Sequence, residues 1–321
     1  MWVSVLRSTR FARILKTFAF SHQKGMGVMS AAPPARRRLV GAALRRYRES
    51  TGYDLADAAR VLACDRSKIS RIESGERGIR AEELRALLVD YEVDAQAEQA
   101  LLALSAPGLT RGWWQEPGAA VADGMAQFAP IEALASAIGV FEAHRVPDLL
   151  QTEDYARVLI AAGPADDEAA AGAGQAVRES RLAAVLARQR AVLGRHPDIT
   201  VVIAEAALLN VVGGARVTRG QLDWLARTAS DSGHAEIRLL PLTRGAQVAA
   251  TGSMTIAEVG GVPCLGAVHV PGVRGGICLD EPSDVAAYTR AFEQIKLHAL
   301  SPAASARSLR DMAARRVLRG Y

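Results

Sequence analysis

The chain is short of the residues and spacings that build several common site chemistries. Its 321 residues include three cysteines, Cys64, Cys264 and Cys278. The number is odd and no CxxC pair occurs, which argues against a disulfide framework or a zinc cluster and fits a reducing compartment. The six histidines, His22, His144, His196, His234, His269 and His298, are scattered without HExxH or i, i+4 pairing, the spacing that sets two ligands on one helix face. No GxGxxG, Walker loop or GxSxG elbow occurs, and the glycine-rich stretch 272–277 lacks the strand-to-helix setting of a phosphate cradle, so it reads as a turn between strands. No run approaches the roughly 18 apolar residues of a membrane span, and no tandem repeat of the solenoid kind is found. These absences leave a chain with no cofactor, metal or catalytic signature, expected to be soluble, cytoplasmic and free of the membrane.

Acidic residues are also missing from one end. The first 48 residues hold eleven Lys or Arg and no Asp or Glu, while the remainder holds 28 basic against 34 acidic residues. The net charge of +5 is therefore a local basic excess, as expected of a contact with nucleic acid or an anionic membrane. In its first part Arg7, Arg10, Arg13 and Lys16 interleave with Leu6, Phe11, Ile14, Leu15 and Phe18. That pattern suits a transit peptide or a surface helix. The blander reading is a disordered extension over 1–38, translated from an upstream start, with Met26 or Met29 the natural one. Pro33-Pro34 would end any helix before the first domain.

From Val40 the order changes. Val40, Leu44 and Tyr47 mark one face of a helix ending near Gly52. Asp54 caps a second helix with Leu55, Ala58, Ala59 and Leu62 inward. After the break Ala63-Cys64-Asp65, Asp65 caps a short third helix that buries Ile69 and Ile72 and stops at Gly75. A fourth begins near Ala81 and buries Leu84, Leu87, Leu88 and Tyr91; a fifth runs from about Ala95 to Leu104, and Pro107-Gly108 closes the domain.

The second and third helices have the form of a helix-turn-helix, in which one helix enters the roughly 12 Å major groove of DNA and its neighbour fixes the angle. Arg grips guanine through two acceptors, so Arg66 and Arg71 are the candidates for base readout, with Ser67 for a base or a phosphate. Lys68 and Ser70 suit phosphate oxygens, and Arg45, Arg46, Arg77 and Arg80 extend the electrostatic footprint. Residues 36–80 carry twelve basic against six acidic residues. The competing reading of the same helices is a protein-docking module with a solvated basic face.

The stretch LRRYRESTGYDLADAARVLACDRSKISRIESGERGIRAEELRALLVDY, and ISRIESGER above all, resembles the Xre or lambda-repressor-like helix-turn-helix family. The sequence departs from that family's habit at three places: Leu55 stands for the usual phosphate-anchoring Gln, Ala63 for Gly in the turn, and Ile79 for Pro after the third helix. Ala63 should cost turn strain with the motif intact.

Beyond residue 107 strand-like runs at Ile199–Ala204, Ile237–Leu242, Met254–Val259 and Leu265–Val270 alternate with helical patterns at about 131–144, 153–162, 175–194, 219–231 and 283–299, and Ala161–Gly174 reads as a loop. The expected architecture is multidomain, α and α+β: a five-helix, lambda-repressor-like domain over 39–106, then a mixed α/β domain over 107–321. The blocks RGWWQE, VPDLLQTEDYARVL, IAEAALLNVVGG, EIRLLPLTRGAQ and CLDEPSDVAAYTRAFEQIKLHALSP are similar to a domain of unknown function attached to actinobacterial Xre-type regulators, from Arg111 to about Pro302. That resemblance implies a transcriptional regulator, often encoded beside a small partner protein.

Within this half, Trp113, Trp114, Leu149, Leu150, Tyr155 and Phe292 line a pocket or, more simply, belong to the core. Asp280-Glu281-Pro282-Ser283-Asp284 reads as a helix start rather than a metal site. Glu205 and His269 are candidate acid–base groups if the domain processes a metabolite, and no spacing singles them out. The leading expectation is a nucleoid-associated homodimer that binds a double-stranded DNA operator, with the C-terminal half receiving a small-molecule or protein signal. Its alternative is an adaptor or antitoxin-like protein that sequesters a small partner and uses DNA binding for autoregulation.

Overall fold

The computed structural model describes residues 33–106, 112–116, 121–163, 171–230, 235–262, 265–273 and 275–318. The basic extension before Pro33 lies outside the described residues.

Five helices lead the fold: α1 (Ala35–Ser50), α2 (Leu55–Val61), α3 (Arg66–Glu73), α4 (Ala81–Asp90) and α5 (Ala95–Ser105). α1 begins four residues before the expected domain start at 39, directly after Pro34. Three starts are set by aspartates. Asp54 accepts from the amides of Ala56 and Asp57 while Asp57 accepts from the Asp54 amide, a reciprocal box. Asp65 and Asp94 take the amides of Ser67 and Ala97. Each helix buries one stripe, among them Leu39, Leu44, Ile69, Ile72, Leu84, Leu88 and Leu101.

A six-stranded sheet follows, formed by β1 (Ala135–Glu142), β2 (Asp198–Ala204), β3 (Glu236–Leu240), β4 (Met254–Val259), β5 (Gly266–Val270) and β6 (Ile277–Leu279) in the order β3-β2-β1-β4-β5-β6. β1 to β3 run parallel, and β4, β5 and β6 add antiparallel. Around the sheet lie α6 (Asp123–Glu132), α7 (Glu153–Ala162), α8 (Ala171–Leu193), α9 (Glu205–Leu209), α10 (Gly214–Thr228), α11 (Gly245–Thr251), α12 (Pro282–His298) and α13 (Pro302–Leu318).

One expectation is overturned: 131–144 is not a helix. α6 ends at Glu132, and the segment that follows is the central strand β1. Ile131, Ala135, Ile138 and Phe141 carry helical spacing, but a strand covered on both faces has no need of apolar alternation, so its periodicity is uninformative. Gly139 makes room in β1 for the ring of Phe292 on α12, which a Cβ would approach to 2.9 Å. The expected loop Ala161–Gly174 is shorter than anticipated, because α7 runs to Ala162 and α8 starts at Ala171; 164–170 lie outside the described residues.

One face of the sheet packs on α12 through Phe141, Val202, Met254 and Val268 against Val285, Phe292 and Ile295. The other face, with Ile138, Val140, Val201, Ile203 and Ala257, joins a core that continues without interruption into Leu39, Ile69, Leu84 and Leu101 of the five-helix portion. The halves are further joined by Gln96, whose amide donates to the Gly260 carbonyl at 2.6 Å. At Gly260, in left-handed conformation, a Cβ would meet that of Ala100 at 2.6 Å. Residues 34–321 accordingly form one compact unit.

Candidate nucleic-acid interface

Ile69 and Ile72 are 1% and 3% exposed and seat α3 on the core, which leaves Arg66, Ser67, Ser70 and Arg71 on its open side. The far end of α3 is held closely. A Cβ on Gly41 of α1 would fall 2.5 Å from the carbonyl oxygens of Ile72 and Glu73, so α1 meets the last turn of α3 through backbone. Gly75 ends the helix at φ +76°, against the backbone of Arg38.

The strongest tie is an ion pair that sequence patterning did not single out. Arg48 of α1 donates from Nε and Nη2 to both carboxylate oxygens of Glu73, the last residue of α3, at 2.7 and 2.9 Å, and from Nη1 to the Tyr53 carbonyl at 2.8 Å. Both side chains are under 10% exposed, and the fork geometry holds the guanidinium's pKa above its ordinary value. Glu73 is the first of the two acids of ISRIESGER, so the most specific part of the sequence signature contains the latch that fixes the third helix.

The expected DNA-contacting residues separate into groups. Arg66, Arg71 and Arg77 are exposed; Arg71 makes one weak bond from Nε to the Ser67 carbonyl at 3.3 Å, and the Arg77 amide donates to the Arg71 carbonyl. The Ser67 hydroxyl donates to Asp65, holding that carboxyl below its usual range. Arg45 is paired with Glu49 one turn on, which raises the guanidinium's pKa, and the Arg46 guanidinium lies 5.4 Å from the Tyr47 ring. Ser70 is exposed. Lys68 departs from expectation: its ammonium donates to Glu83 of α4 at 2.6 Å, with the side chain 15% exposed. Glu83 is pulled below the usual carboxylate range by that bond. The pairing was invisible to helical periodicity because its partners lie fifteen residues apart on different helices.

The turn carries the strain that its sequence implied. Ala63 adopts φ +47°, a left-handed conformation that side chains with a Cβ disfavour, and the helix pair forms around it regardless.

Residues 39–102 match the family model described as a helix-turn-helix domain. Residues 125–311, more than half of the chain, match the model of the domain of unknown function DUF5753. The chain belongs to the DUF5753 family. No curated protein and no solved structure matches it. Among the described residues no helix is long and apolar enough to cross a membrane, and no group of three or more His, Cys, Asp or Glu side chains is placed to hold a metal.

In the DUF5753 domain, Leu149, Leu150, Tyr155 and Phe292 are core residues, while Trp113, which precedes the matched residues, borders a cavity of about 280 Å3 and stacks edge-on against Trp114. The cavity lies beside α6, α7, α8 and the turn after β5, and charged groups surround its base. Arg188 is clamped by both oxygens of the buried Glu132 at 2.8 and 2.6 Å. Arg145 reaches Asp148 at 3.0 Å and Glu142 at 3.7 Å. Burial pushes the Glu142 carboxyl up and the His269 imidazole down; His269 Nε2 sits 2.9 Å from the Gly275 carbonyl, which fixes the proton on that nitrogen. β5 ends at Val270 and β6 begins at Ile277, so the glycine-rich stretch lies between strands as expected, with Gly275 and Gly276 at positive φ; residue 274 lies outside the described residues.

Pro282 begins α12, as the helix-start reading required. Asp280, however, also has a partner: Arg38 of α1 donates from Nε to Oδ1 at 3.2 Å and lies 2.9 Å from Oδ2. Burial raises the Asp280 carboxyl despite that neighbour, and lifts the adjacent Cys278 thiol to about 12. Arg38 further donates to the Gln127 side chain of α6 at 3.3 Å. Glu205 is tied to the backbone amide of Leu242.

Proposed function

We propose that this protein is a sequence-specific transcriptional regulator of the Xre type found in actinobacteria, acting as a cytoplasmic homodimer on an operator and not as an enzyme. α3 lies in the major groove, Arg66 and Arg71 contact bases, and Ser67, Ser70, Arg45, Arg46 and Arg77 contact the backbone. The DUF5753 domain receives the signal. The observation that supports this most is the open side of α3, where Arg66 and Arg71 face outward while Ile69 and Ile72 anchor the helix. Two-fold symmetry would double the few base pairs that one short helix can read.

Arg71→Ala tests the reading. It should weaken binding to the cognate operator by about 1–3 kcal/mol while barely changing affinity for random duplex. Equal losses on both sequences, titrated at one salt concentration, would remove Arg71 from base readout.

A further inference from the structure

The cavity of the DUF5753 domain has two unlike parts. Trp113, Met125, Leu159 and Ile160 supply an apolar wall, and Arg145 and Asp148 present opposite charges 3.0 Å apart at its polar side. The other charges of the lining are Arg181 and Arg188; Arg188 is clamped by Glu132 at 7% and 1% exposure and also lies 3.7 Å from Asp148. Arg145 and Asp148 remain 38% and 25% exposed, so both reach the cavity. A volume of about 280 Å3 sits at the small end of ligand pockets, which run from about 300 to 1,000 Å3.

From this complementarity we infer that the cavity binds a small zwitterion with a bulky apolar body, in chemical class a hydrophobic α-amino acid, its carboxylate on Arg145 and its ammonium on Asp148. A purely anionic head would meet Asp148, and a purely cationic head would meet Arg145, Arg181 and Arg188. Arg145 and Asp148 pair with each other in the empty cavity, and a head bearing both charges gives each a new partner as it enters, whereas a singly charged head replaces one and leaves the other with a desolvation cost. The Trp113 and Met125 side chains offer an aromatic edge and a polarisable surface to the apolar body. This inference rests on the reading of the DUF5753 domain as a signal receiver.

Calorimetric titration of the full chain with L-phenylalanine, phenethylamine, 3-phenylpropanoate and benzyl alcohol tests it without DNA. L-phenylalanine should bind at least about tenfold more tightly than either singly charged analogue, a difference of about 1.4 kcal/mol. Asp148→Asn should reduce it to the level of 3-phenylpropanoate, and Arg145→Gln to that of phenethylamine. Both variants alter a hydrogen-bonded cluster, so Ala184→Phe provides a second arm that fills the cavity from α8 without touching a charge, and it should abolish binding of every probe. No saturable heat from L-phenylalanine up to about 10 mM, an analogue equal to it, or full binding by Ala184→Phe overturns the inference. Operator binding, measured on the same preparation, is untouched by any of these failures, which separates this claim from the proposed function.

Discussion

Removing the Glu73 carboxylate should damage the protein far more than removing the pair. In Glu73→Ala the Arg48 guanidinium stays under 10% exposed and loses both hydrogen bonds to the carboxylate, leaving the exposed Glu49, 3.6 Å from Nη2, as its remaining ionic neighbour. An uncompensated buried charge costs about 3–5 kcal/mol, or about two to three and a half powers of ten in the folding equilibrium. The double variant Arg48→Met, Glu73→Leu keeps similar volume and removes both charges. It deprives only the Tyr53 carbonyl of its donor, at about 1 kcal/mol. Urea unfolding of the full chain, followed by circular dichroism, should therefore rank wild type close to the double variant, and both well above Glu73→Ala. If the double variant is as unstable as the single one, the loss lies in packing at the end of α3 and the unpaired-charge argument is wrong. A single-variant loss under about 1 kcal/mol would instead mean that water reaches the pair.

Three further outcomes follow from the geometry. Ala63→Gly removes a left-handed cost of about 1 kcal/mol, less the extra freedom glycine gains in the unfolded chain, so thermal melting should rise by about 1–3 °C. Glu83→Gln releases Lys68 and should steepen the salt dependence of binding to any duplex by about one phosphate contact; an unchanged slope would show that Lys68 does not reach DNA. His269 has its pKa lowered by burial, so between its folded value and about 6.5 the unfolded chain binds a proton that the native one refuses. Stability should accordingly fall as pH drops below about 6.5, and His269→Gln, which retains a donor for Gly275, should flatten that part of the profile measured by urea unfolding.

The five-helix portion was legible because its signals are local. Asp54, Asp65 and Gly75 mark helix ends by chemistry that acts within three residues, and Ile69 and Ile72 fix the inward face by spacing alone. The strands β2, β3, β4 and β5 were found from apolar runs. β1 was not, since a strand enclosed on both faces shows no alternation, and β6 has only three residues after a glycine-rich turn. The ties that orient the site are non-local. Arg48 with Glu73, Lys68 with Glu83 and Arg38 with Asp280 join residues 25, 15 and 242 positions apart, and no periodicity reports such encounters. For the same reason the cavity, assembled from segments between Trp113 and Gly275, left Trp113 and His269 as isolated candidates in the sequence.

Arg38 gives the molecule an economy of parts. Its side chain is shared by α6, through Gln127, and by the link between β6 and α12, through Asp280, while its backbone abuts Gly75 just past the end of the third helix. Any rearrangement that slides α6 or lifts the β6 end must be accommodated two residues past the end of the reading head. Grafting the first five helices onto another sensor would then sever a steering linkage as well as expose the oily underside that they share with the sheet.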